Sequence, residues 1–169
     1  IDGDFVFPSR PEEVEILKFA VEKNPGDANA HLHLGNLYAN LGRIDEAATQ
    51  WEKAAELNPA KSMPFRNLGL LAGSKGDLPK AEALYRKAAA ARPSDQTLWR
   101  DLGEILIAAG KRPEAIRVME TMPVKGVRWA EITIALAQAY CDEKRWDDAV
   151  KLLESTPHFV NWEGQDVTW

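Results

Sequence analysis

Gly35, Gly69, Gly103 and Ala137 stand 34 residues apart, and each directly follows a leucine. A constant period of this size restricts a chain to a repeat architecture, in which one short supersecondary unit is copied and stacked. A single copy cannot hide its own apolar face, so the copies must pile up in sequence order. The same spacing points away from an enzyme, because stacked repeats work mainly as binding surfaces or spacers.

Counting each repeat from Ala28, Ser62, Gln96 and Ala130 aligns the remaining residues. The fourth position holds His31, Phe65, Trp99 and Thr133, and the eleventh holds Tyr38, Ala72, Leu106 and Tyr140. The twentieth is always alanine: Ala47, Ala81, Ala115 and Ala149. The twenty-fourth is Trp51, Tyr85, Met119 and Leu153, and the twenty-seventh is Ala54, Ala88, Met122 and Thr156. Small residues at positions 8, 20 and 27 let two helices approach to about 8–10 Å, and large ones at 4, 7, 11 and 24 fill the seams. Leu34, Leu37, Tyr38 and Leu41 follow the helical i, i+3, i+4, i+7 rule.

Helix boundaries are legible too. Pro59 and Pro93 end the second helices of the first two repeats, since proline disfavours a helical residue before it. Ser9-Arg10-Pro11-Glu12 reads as a capping box, and Ser62, Asp77 and Ser94 as further helix starts. Gly42, Gly76 and Gly110 fall where a left-handed cap closes each first helix. The expected helices lie near 10–23, 29–41, 45–57, 63–75, 78–91, 95–109, 113–121, 129–142 and 146–155.

The pattern resembles the tetratricopeptide repeat (TPR) family, which carries W, LG, Y, A, F, A and P at these places. The resemblance implies an all-α, right-handed α-solenoid of helix–turn–helix units. The organisation is then an extended linker (1–9), an N-terminal capping helix (10–27), and TPR units at 28–61, 62–95, 96–129 and 130–156. The last two units are degenerate toward their ends. An aromatic tail (157–169) follows. Its content, with Phe159, Trp162 and Trp169, argues for packing on the last repeat or on a following segment.

A narrower resemblance runs through Phe7-Pro8-Ser9-Arg10, Asn24-Pro25, Leu34-Gly35-Asn36-Leu37-Tyr38, Arg66-Asn67-Leu68-Gly69 and Trp162-Glu163-Gly164. It is similar to the TPR arm of large bacterial proteins that carry an uncharacterised mutarotase-like β-sandwich domain, often grouped with carbohydrate-active proteins. The chain opens on Ile1, and it is expected to be a piece of such a longer polypeptide. No catalytic residue is carried over from that group.

In the TPR family, positions 2, 5, 6, 9 and 13 of each first helix face a concave groove. The resemblance therefore implies a groove of Asn29, Leu32, His33, Asn36 and Asn40, then Met63, Arg66, Asn67, Leu70 and Ser74. The third repeat adds Thr97, Arg100, Asp101, Glu104 and Ala108, and the fourth Glu131, Ile134, Ala135, Gln138 and Asp142. Arg66 and Arg100 share position 5 and would stand about 10 Å apart on one wall. A peptide carboxylate could bridge them; alternatively they pair with Asp101, Glu104 or Glu131, or are simply solvated. Leu32, Thr97 and Asp101 stand where cations hold the acidic tails of heat-shock chaperones in other TPR domains, so that mode is not expected.

Other chemistries are poorly served. His31 and His33 point to different sides of a helix, so they form no metal pair. His31 is expected to be packed. The carboxylates Glu12-Glu13, Asp45-Glu46 and Asp147-Asp148 sit at helix starts, where negative charge complements the dipole. There is no phosphate loop or nucleophile elbow, and no cofactor is expected. The net charge of −5 is spread along the chain and makes no basic stripe for nucleic acid. No apolar run is long enough to span a membrane. Cys141 is expected to be a partly packed structural thiol. The expected partner is a protein or peptide, including a neighbouring domain of the same polypeptide, with self-association through exposed ends as a variant.

Overall fold

The computed structural model describes residues 12–123 and 130–155. Among these there are nine helices and no strand. They are α1 (Glu13–Lys23), α2 (Ala28–Asn40), α3 (Ile44–Leu57), α4 (Ser62–Ser74), α5 (Leu78–Ala91), α6 (Gln96–Ala108), α7 (Arg112–Thr121), α8 (Ala130–Asp142) and α9 (Trp146–Ser155). Each lies within a few residues of its expected place. The linker at 1–9 and the tail at 157–169 fall outside the described residues.

The chain divides into two compact halves, Ile1–Arg92 and Pro93–Trp169. In the first, α1 packs on α2, α2 on α3, α3 on α4 and α4 on α5. One buried cluster joins Val14 of α1, Leu32, Leu34, Leu37 and Tyr38 of α2, Ala47, Trp51 and Ala54 of α3, and Leu68 of α4. In the second, α6 packs on α7, α7 on α8 and α8 on α9, and α6 also touches α8. Leu98, Leu102, Leu106, Met119, Ile132 and Leu136 are fully buried there.

The repeat period acts through pairs at positions 8 and 24. A methyl group placed on Gly35 would lie 2.6 Å from Trp51 Cδ1 and 3.1 Å from the Ala47 carbonyl. At Gly69 it would meet the Tyr85 ring at 3.1 Å, and at Gly103 the Met119 sulfur at 3.0 Å. The missing side chain is what lets the two helices of each of these three pairs close.

Every first helix ends alike. The Arg43 amide donates to the Tyr38 carbonyl at 2.8 Å and the Gly42 amide to the Ala39 carbonyl at 3.0 Å, a Schellman turn. Asp77/Gly76, Lys111/Gly110 and Arg145/Lys144 repeat this arrangement. Gly42, Gly76 and Gly110 have φ of 75°, 78° and 74°, whereas the fourth repeat puts Lys144 at φ 59°. A side chain there costs about 1 kcal/mol, because Cβ crowds the following carbonyl. Lys144→Gly is therefore expected to stabilise the chain by ~0.5–1 kcal/mol, seen as a higher urea midpoint with unchanged helicity.

Two helix starts differ from expectation. Asp95, not Ser94, caps α6, its side chain accepting from the Thr97 amide at 3.0 Å. Asp95 has the extended backbone a cap requires, and its carboxylate is the stronger acceptor. Ser62 lies inside α4 as its first residue and is buried, with Lys61 before it in the cap position. Asp27 caps α2 through the Asn29 and Ala30 amides, and Asp77 caps α5 through the Lys80 amide. The proposed box at Ser9 lies outside the described residues.

Candidate functional site

The expected groove residues sort by depth once the helices are in place. In the first half, Asn29 and Asn40 of α2 and Leu70 and Ser74 of α4 are exposed. His33, Met63, Arg66 and Asn67 are half-buried. Leu32 is a correction: it is fully buried among the α2 core leucines, because position 5 of this repeat carries an apolar side chain that turns inward.

Asn36 is also buried, and it forms the floor of this face rather than an open wall. Its Oδ1 accepts from Trp51 Nε1 at 2.9 Å and from Asn67 Nδ2 at 2.9 Å. Two donors on one oxygen fix the carboxamide's orientation, which leaves Asn36 Nδ2 buried without a hydrogen-bond partner. Asn67 thereby ties α4 to α2.

In the second half, Asp101 is buried and not a groove wall. Its Oδ1 accepts from Arg100 at 2.8 Å, and Glu104 lies 3.6 Å from the same guanidinium. The Asp101 hydrogen bond holds Arg100 above the ordinary arginine range. Arg100 thus takes the paired alternative. Arg66 belongs to the first half and Arg100 to the second. Thr97 and Ala135 are half-buried, and Glu104, Ala108, Glu131, Ile134, Gln138 and Asp142 are exposed. Gln138 Nε2 donates to Asp142 Oδ1 at 3.0 Å.

His31 is packed as expected: its ring nitrogens lie 2.7 Å from Gln50 Oε1 and 3.1 Å from the Pro25 carbonyl. Cys141 is half-buried. Among the described residues no cluster of histidine, cysteine and acidic side chains could hold a metal. No described helix is long and apolar enough to cross a membrane.

One feature was not anticipated. A cavity of about 970 Å³ opens between α3, α4 and α5, floored by Ala55, Phe65 and Leu68, with Glu56 and Lys87 at its rim. Lys87 Nζ stands 5.7 Å from the Phe65 ring centre. The run of alanines at 88–91 was the available signal, since small side chains leave space between successive second helices.

Tyr140 shows how the second half treats a polar group. Its hydroxyl donates to Glu120 Oε1 at 2.5 Å, and the Arg145 guanidinium stacks 4.6 Å from the ring centre. Burial, reinforced by the Glu120 hydrogen bond, pushes the phenol up to about 12. The neutral phenol is thus favoured in the fold. Its stabilisation is complete below the free-tyrosine value of about 10 and is lost as pH climbs through the folded value. Between those limits the urea midpoint should fall, and Tyr140→Phe should flatten that part of the profile.

Three tetratricopeptide-repeat sequence models match residues 28–61, 74–128 and 133–156. The chain belongs to the tetratricopeptide repeat family. Its fold is similar to that of YrrB, described as a TPR protein with an unusual peptide-binding site, at 20% identity and a TM-score of 0.70, covering 83% of this chain and 73% of that one. It is also similar to MamA, at 18% identity and a TM-score of 0.68 over 83% and 82% of the two chains. Pseudomonas aeruginosa pilF is a further neighbour, at 17% identity and a TM-score of 0.67 over 85% and 67%. These likenesses establish the all-α TPR solenoid fold expected from the sequence. No curated protein matches the chain.

Proposed function

We propose that the chain is a protein-interaction module that takes an extended segment of a partner on the α2/α4 face of its first half. The supporting observation is Asn67. This half-buried side chain makes one hydrogen bond, to Asn36, whereas a carboxamide offers two donors and an acceptor oxygen. The remaining capacity suits the alternating C=O and N–H of a peptide backbone. Leu70, one turn further along α4 and exposed, supplies an apolar contact beside it. Asn40 and Asn29 extend the polar face along α2. The peptide-binding description of YrrB agrees with this class of role.

The reading favours backbone recognition over a carboxylate clamp, because Arg100 is already engaged by Asp101. It is tested with a peptide selected from a random display library on the intact chain. Asn67→Ala should weaken that peptide about tenfold, the cost of roughly one good hydrogen bond. Leu70→Asp should abolish binding, and Arg100→Gln should leave it within twofold. Unchanged affinity in both Asn67→Ala and Leu70→Asp overturns the reading.

A second reading, an arm of a longer polypeptide beside a mutarotase-like domain, draws on the exposed Ile16 and Phe19 of α1. Apolar residues side by side on the first described helix suit a neighbouring domain or a second copy. Sedimentation at several concentrations separates the two: a mass that rises with concentration points to the second copy.

A further inference from the structure

α9 carries an apolar stripe that the repeat logic leaves uncovered. Trp146, Val150 and Leu153 are spaced i, i+4, i+7, so they share one side of the helix. They are 59%, 52% and 49% exposed. Ala149, next to the stripe, is buried. The equivalent helix α7 shows what positions 21 and 24 do when covered. There Ile116 and Met119 are 2% and 0% exposed, in a helix that packs on α6 on one side and α8 on the other. Trp51 at position 24 of α3 is likewise buried, in a cluster that includes Leu68 of the following helix. Second helices of the earlier repeats are thus covered at these positions, by the first helix of their own repeat and by the helix that follows, and among the described residues nothing follows α9.

We propose that this stripe is the docking site of the chain's own residues 157–169. Three features of the chain support that occupant. The segment begins two residues after α9 ends, so it is present at high effective concentration. It contains Phe159, Val160, Trp162, Val167 and Trp169, an apolar content that matches the stripe. Its reach is adequate. The stripe runs about 10 Å along the helix at ~1.5 Å per residue, and extended chain covers that in three to four residues at ~3.3 Å each. The segment would supply the apolar cover that an uncovered second helix of a solenoid requires. This inference is independent of the α2/α4 binding face.

Disulfide trapping in the full chain tests it. In a Cys141→Ser background, Val150→Cys is combined in turn with Phe159→Cys, Val160→Cys and Trp162→Cys, and the protein is incubated with oxidised glutathione. At least one pair should link within a single molecule, giving a monomer with altered non-reducing gel mobility. Lys151→Cys, on the opposite side of α9, should link at least fivefold less. In a cysteine-independent check, Phe159→Ser with Trp162→Ser should speed amide exchange of residues 147–155 about tenfold and leave α6 unchanged. Links found only between two molecules would mean that a second copy covers the stripe, which overturns the proposal. Equal linking at positions 150 and 151, or unchanged exchange, overturns it as well.

Discussion

Trp51→Ala is expected to destabilise the chain by ~3–5 kcal/mol, the range for removing a large aromatic side chain from a packed core. Three contributions act together. The indole is buried in the cluster that joins α1, α2, α3 and α4, so its loss leaves a cavity bordered by several helices. Its Nε1 donates to Asn36 Oδ1, and that buried oxygen would retain only the Asn67 bond. The ring is also the surface on which Gly35 rests. A loss of this size rivals the total stability of an ordinary small domain. The variant should show a much lower urea midpoint and early loss of helicity. Trp51→Phe keeps most of the volume but not the hydrogen bond, and should cost ~1–2 kcal/mol. A Trp51→Ala chain as stable as the parent would refute the assignment of Trp51 as the keystone of the α2/α3 pair.

The fold was readable because each repeat states the same constraint again. Leu-Gly at 34–35, 68–69 and 102–103 fixes where the helices of a pair cross, and alanine at position 20 fixes the same contact from the other side. Ala47, Ala81 and Ala115 are all fully buried. Glycine at 42, 76 and 110 marks the turns, and their left-handed backbones agree. The fourth turn was harder to read, because Lys144 adopts that conformation without the residue type that announces it.

The candidate site was less legible, for a physical reason. Position within a repeat gives the direction of a side chain but not its depth or its partners. Leu32 and Asp101 occupy groove positions yet are buried, one among leucines and the other beneath the Arg100 guanidinium. Asn36 depends on a donor 15 residues away and another 31 away, and neither spacing is visible in a helical pattern. The cavity beside Phe65 involves three helices at once and leaves only a faint trace in the alanine run.

Gly35→Ala should cost about 2 kcal/mol although it adds a single methyl group. The new Cβ would stand 2.6 Å from the Trp51 ring and 3.1 Å from a backbone carbonyl, so both the indole and α3 must move. Overpacking of this kind costs up to about 3 kcal/mol, and the better helix propensity of alanine returns about 1. Gly103→Ala supplies the contrast. Its Cβ would meet the Met119 thioether at 3.0 Å, a flexible side chain that can shift, so the two effects should nearly cancel. The fourth repeat already pairs Ala137 with Leu153 at these positions. Gly35→Ala combined with Trp51→Leu should therefore lose less than the sum of the single changes, by ~1–2 kcal/mol in a double-mutant cycle. If the two changes add, the 34-residue period records only common ancestry at these positions; if they couple, it records a steric contract between positions 8 and 24 that each repeat meets with its own pair of side chains.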